Sequence, residues 1–214
     1  DRVFGGGIVK GSLVLMGGEP GVGKSTIALD IADRIAARYG NVLYVSGEES
    51  LRQIKMRADR TGIKSESLKV MSETSVEKIS DIIEKEKPAL AVVDSIQTVY
   101  KEEIEGAAGS VNQLRESCAQ LLYAAKKSNV PVIIIGHVTK EGTIAGPKML
   151  EHMVDAVLYL EAEKYYQFKV LRAVKNRFGS TNEIGIFDMQ SSGIKEVKSP
   201  SKLLLDEMKE SKSG

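Results

Sequence analysis

The run Gly18-Glu-Pro-Gly-Val-Gly-Lys24-Ser25 constrains this chain more than any other feature. It follows the apolar stretch 12–16, which reads as a strand, and precedes residues 24–39, where Ile27, Ile31 and Ile35 recur at helical spacing. A strand that turns through glycines into a helix gathers successive backbone N–H groups in a small concave volume, and the helix N-terminus adds partial positive charge. That is a cradle for phosphate, built from Gly18, Glu19, Pro20, Gly21, Val22 and Gly23. In a loop of this pattern Lys24 reaches the β- and γ-phosphates of ATP, Ser25 ligates Mg²⁺, and Thr26 contacts the α-phosphate as the helix begins.

The rest of the chain supplies a sheet on which such a loop can stand. Residues 41–46, 89–94 and 130–137 are short and nearly continuous in apolar and β-branched residues, as expected for parallel strands covered on both faces. Residues 110–128 place Val111, Leu114, Cys118, Leu121, Leu122 and Ala125 on one helical face, so Cys118 reads as a small core residue. After residue 155 the style changes to four strands joined by short turns, 156–161, 166–175, 183–189 and 194–197. The expected fold is α/β, a P-loop NTPase with a mostly parallel central sheet, flanking helices and a C-terminal antiparallel meander closing one edge. Residues 1–198 form the ATPase domain in this reading, and the Lys/Glu/Ser-rich residues 199–214 form a linker. There is no internal repeat.

Three further strand ends carry polar groups. Asp94 ends an apolar strand, where a carboxylate orients the Mg²⁺ shell in P-loop enzymes. Glu48 and Glu49 follow the strand 41–46; Glu48 is placed to orient the attacking water, and Glu49 suits the N-terminal end of a helix over 50–60. His137 ends the strand 130–137, either as a contact to the γ-phosphate or as a structural histidine. His152, in an expected short helix over 149–154, reads as structural.

Composition narrows the setting. Of 214 residues, 30 are basic and 29 acidic, so a net charge of +1 provides no global field for a polyanion. The apolar run 130–135 is far shorter than the roughly 20 residues that cross a bilayer. One cysteine allows neither an internal disulfide nor a cysteine metal cluster, and a cytoplasmic setting fits. Numbering from Asp1, with neither a basic nor an apolar leader, reads as a fragment.

Six segments together carry a resemblance to a family. They are Leu-Met-Gly-Gly-Glu-Pro-Gly-Val-Gly-Lys-Ser-Thr, Tyr-Val-Ser-Gly-Glu-Glu-Ser, Val-Val-Asp-Ser-Ile-Gln-Thr, Gly-His-Val-Thr-Lys-Glu-Gly, Ala-Gly-Pro-Lys-Met-Leu-Glu-His-Met-Val-Asp and Val-Lys-Asn-Arg-Phe-Gly-Ser-Thr-Asn-Glu-Ile-Gly. From Asp1 to about Ser201 the chain resembles the central ATPase domain of bacterial RadA (Sms), and Lys175-Asn-Arg177-Phe-Gly179 is the most diagnostic piece. The resemblance implies a RecA-like, DnaB-like ATPase that assembles as a homo-oligomeric ring, a hexamer, on single-stranded DNA and drives branch migration in recombinational repair. It also implies a recombinase filament as partner, and two domains outside this chain, an N-terminal zinc finger and a C-terminal domain resembling Lon protease. Lys175 and Arg177 end a strand before a glycine turn, from which two cations can project. By resemblance they reach across a subunit interface to the neighbour's γ-phosphate; otherwise they form a solvated basic turn.

By the same resemblance, the connections 97–109 and 139–146 line a DNA channel. The first carries Tyr100 and Lys101 but also Glu102, Glu103 and Glu105, which repel phosphate; Lys140 and Lys148 serve the second. Two other classes compete with the DNA motor: an ATP-controlled assembly switch, as in KaiC-like relatives, and a filament-forming recombinase.

Overall fold

A computed structural model describes residues 2–137, 147–162, 168–190 and 193–197. Its frame is a sheet of strands β1 (Leu13–Gly18), β2 (Val42–Ser46), β3 (Leu68–Ser72), β4 (Leu90–Asp94), β5 (Val132–His137), β6 (Ala156–Ala162), β7 (Phe168–Asn176), β8 (Ile184–Gln190) and β9 (Gly193–Glu196). They lie in the order β3-β2-β4-β5-β1-β6-β7-β8-β9. Every pairing from β3 to β6 is parallel, and β6 to β9 pair antiparallel, so the expected meander continues one edge of a parallel sheet.

Helices α1 (Lys24–Tyr39), α2 (Leu51–Thr61), α3 (Val76–Glu86) and α4 (Val111–Ser128) fill the crossovers. Because side chains alternate along a strand, each central strand serves two cores. Val14 and Met16 pack with Ile27, Leu29 and Ile54 beneath α1 and α2. Leu13 and Leu15 pack with Ile79, Ile83, Leu114 and Leu121 beneath α3 and α4. Cys118 lies in this second core with no exposed surface, where burial pushes its thiol up to about 12.

Two parts differ from the sequence reading. The β3–α3 pair was not expected, since β3 is a short edge strand whose residues are only partly buried, so its apolar alternation is weak. Ser75 accepts a hydrogen bond from the Lys78 amide and starts α3 there. Instead of a helix over 149–154, the chain makes one 3₁₀ turn, Pro147–Leu150. The Lys175 ammonium donates to the Glu151 and Val154 carbonyls at 2.6 and 2.8 Å, so a side chain, and not further helical amides, satisfies them. The connection 139–146 and the linker 199–214 lie outside the described residues.

Candidate functional site

Parallel strands bring their C-terminal ends to one rim. Gly18 pairs with His137 and Ser46 with Asp94, so the glycine loop, both carboxylate-bearing strand ends and the histidine share one crevice. The loop is shaped by close approach: a Cβ on Gly18 would lie 2.5 Å from the Leu160 carbonyl oxygen, too close for any side chain. Gly23, the N-cap of α1, sits at φ 110° with no side chain bonded to the first-turn amides, which leaves those donors facing the crevice. Lys24 opens α1 buried, its ammonium held by the Gly18 and Glu19 carbonyls, each at 2.9 Å. Burial lowers its pKa, while Asp94 and Glu48 pull the other way.

Asp94 is 3% exposed. Its Oδ2 accepts a 2.7 Å hydrogen bond from Tyr44, whose phenol is pushed well up by burial and by the carboxylate. Its Oδ1 is buried with no hydrogen-bond partner among the described residues. Glu48 Oε1 accepts from Ser95 Oγ and lies 2.9 Å from His137 Nε2. The His137 hydrogen bond above all, then that from Ser95 and the charge of Lys24, hold the Glu48 carboxyl down at about 2 against the opposing effect of burial. His137 thus engages the carboxylate beside the phosphate loop. Glu49 pairs with Arg57, and Ser50 caps α2 with a reciprocal bond to Gln53, so Glu49 serves the helix as expected.

The second cation cluster lies elsewhere. Asn176 pairs with Ala156 at the foot of β6, whereas the glycine loop lies level with Leu160 at its head. The separation along the strands is about 13 Å at ~3.3 Å per residue, farther than an arginine side chain extends. Lys175 and Arg177 therefore face away from their own phosphate loop. Lys175 does not project: carbonyl oxygens of Glu151, His152 and Val154 surround its ammonium. Arg177 is half-exposed, with Nη1 at 3.3 Å from Asp155 Oδ1.

The connection 97–109 is folded back on the body. The buried Gln113 accepts from the Lys101 amide at 2.7 Å and donates to the Lys101 and Ile104 carbonyls, and Tyr100 bridges to Ser75. Lys101 then lines a groove between α3 and α4 with Asp81, Glu84 and Glu116. Sequence reasoning did not single out Tyr44, Ser95, Asp155 or Met189. The first two flank or pair with motif residues and are legible only once β2 and β4 are neighbours. Met189 comes from the distant β8, and its methyl lies 2.8 Å from where a Gly23 Cβ would sit.

A glycine loop between the central strand and the first helix, a strand-end aspartate and a second carboxylate on the adjoining strand define a RecA-like P-loop ATPase domain. The chain belongs to the AAA domain family, whose profile matches residues 1–143. Among curated proteins it is similar to the DNA repair protein RadA of Bacillus subtilis (strain 168), 56% identical over 214 residues, which is all of this chain and 47% of the relative. It is also similar to the DNA repair protein RadA of Streptococcus pneumoniae, 53% identical over 100% of this chain and 51% of the relative. That of Listeria monocytogenes is 52% identical over 100% and 47%. The chain spans about half the length of these relatives. No described helix is long and apolar enough to cross a membrane.

Proposed function

We propose that this chain is the ATP-hydrolysing part of a DNA-repair motor: a hexameric ring that tracks single-stranded DNA and promotes branch migration. The observation that carries the reading is the separation of two half-sites. Lys24, Asp94 and Glu48 gather at one rim, while Arg177 stands at the opposite rim, beyond reach of its own loop. A complete phosphoryl-transfer site then forms where one subunit's head meets the next subunit's foot.

The residues fit ATP and Mg²⁺. The open amides of α1 and the Lys24 ammonium suit phosphates. The unpartnered Asp94 Oδ1 suits a cation held by one carboxylate, the Ser25 hydroxyl and phosphate oxygens, the sparse protein ligation that Mg²⁺ favours. The bound metal would neutralise charge on the phosphates. Glu48, ionised to low pH, accepts a hydrogen bond from water and orients it toward the γ-phosphate. Residues 199–214 would connect to a further domain.

The folded-back connection 97–109 supports a second reading, an ATP-controlled assembly switch without DNA translocation, because Gln113 holds that loop on α4 and not free for DNA. Steady-state ATP hydrolysis with and without single-stranded DNA, on this chain and on Arg177→Ala, with light-scattering mass in the same buffers, separates the two. DNA stimulation in a ring-sized particle, lost in the variant, is the motor result. ATP-dependent assembly indifferent to DNA gives the switch. Hydrolysis by a monomer, unchanged by Arg177→Ala, would overturn both.

A further inference from the structure

Asp155 is a carboxylate with only 2% of its surface exposed, at the foot of the sheet and outside the nucleotide crevice. Burying a charge is costly unless it is paired and hydrogen-bonded, so its partners matter. Oδ2 accepts from the Leu13 amide at 3.0 Å, where β1 begins. Oδ1 faces Arg177 Nη1 at 3.3 Å and the Lys126 ammonium of α4 at 3.8 Å. The backbone repeats the tie: Asp155 N–H donates to the Leu13 carbonyl, and Arg177 N–H donates to the Asp155 carbonyl at 3.1 Å. Lys175, two residues before Arg177, is fastened to the carbonyls of Glu151 and Val154, just before Asp155. Both cations of the basic turn are thus referred to one segment, residues 151–155, but in different ways. The Lys175 ammonium is committed to carbonyls. Arg177 gives one terminal nitrogen to Asp155 and remains half-exposed, with no other side-chain hydrogen bond from its guanidinium among the described residues.

We infer that Asp155 is a positioning residue for Arg177: it aims the guanidinium at a neighbouring subunit's nucleotide, and Lys175 acts as the strut of the turn, not as a second finger. This rests on the proposal that Arg177 works in trans. The physical basis is that a long, flexible side chain contributes to a transition state only when its approach is set beforehand, and a buried carboxylate that can itself neither swing nor hydrate sets it. Lys126 shares the carboxylate and balances its charge when Arg177 shifts toward phosphate.

Mixed assemblies test this. Asp155→Asn keeps an acceptor for the Leu13 amide but removes the charge that holds Arg177. Alone, it should bind ADP as wild type does, yet hydrolyse ATP with single-stranded DNA about 10- to 100-fold more slowly. Mixed 1:1 with Lys24→Ala, which lacks a working phosphate loop but retains a well-aimed Arg177, it should recover to about a quarter of the wild-type rate, since each site in a head-to-tail ring uses one neighbour. Arg177→Ala mixed with Lys24→Ala is the control. Recovery in the control without recovery of Asp155→Asn would mean that Asp155 serves only its own subunit's fold, and would overturn the inference. No recovery in either mixture would remove the trans reading and the inference with it. If Asp155→Asn fails to fold, Asp155→Glu takes its place: it keeps the charge but carries the carboxylate one methylene farther, which mis-aims Arg177, so it should be slow alone and give the same two outcomes in the same mixture.

Discussion

Removing the Tyr44 hydroxyl isolates the energetics of the candidate metal carboxylate. Tyr44 has no exposed surface and Asp94 is 3% exposed, and the phenol is the only hydrogen bond that the Asp94 side chain receives among the described residues. In Tyr44→Phe the ring keeps its packing against the α1 face of the sheet, so the change is confined to one O–H···O⁻ contact of 2.7 Å. A hydrogen bond to a charged group contributes about 1.5–3 kcal/mol. For a chain of 214 residues each kcal/mol shifts Tm by roughly 2–4 °C, so the variant should melt about 3–12 °C lower by calorimetry. The same substitution in an Asp94→Asn background removes only a neutral hydrogen bond and should cost about 1 kcal/mol. Equal losses in both backgrounds, or a shift below about 1 °C in the first, would refute the view that the phenol's role is to hold a buried anion.

Two further outcomes follow from the crevice. Gly23→Ala forces φ 110° on a residue with a Cβ and drives that Cβ to 2.8 Å from the Met189 methyl; ADP affinity measured by calorimetry should fall about 5- to 150-fold, given a strain of about 1–3 kcal/mol, and relieving the clash with Met189→Ala should restore only part of it. Retention of wild-type affinity in Gly23→Ala would contradict the loop geometry. The depressed Glu48 carboxyl also carries a pH signature. Its folded value, about 2, lies below the ordinary 4.5, so its contribution to stability is full above pH 4.5 and is lost as pH falls toward 2. The side chain is 38% exposed, which limits that contribution to about 1 kcal/mol or less. His137→Ala removes the largest cause of the shift, so its acid-unfolding curve, followed by circular dichroism, should lose less stability across that window than the wild type. Superimposable stability losses would show that the histidine does not hold the carboxylate.

Local pattern determined much of this protein. The glycine loop, the helix over 24–39, the strand ending in Asp94 and the shift to an antiparallel meander were all legible, because each depends on neighbours in the chain: glycine backbone freedom, helical or strand periodicity, and apolar runs bounded by turns. The β3–α3 pair escaped because an edge strand buries little and so carries a faint pattern. The short helix over 149–154 was misjudged because Lys175, remote in sequence, takes its carbonyls. What only the tertiary structure decided is which polar groups share an oxygen. Glu48 is joined to Ser95 and His137, Asp94 to Tyr44, and Asp155 to Leu13 and Arg177, across separations that no periodicity encodes. A hydrogen bond needs its partners aligned within a few tenths of an ångström, and that alignment comes from the register of strands packed side by side. The sequence sets the rims; the sheet sets which side chains meet there and which face a neighbour.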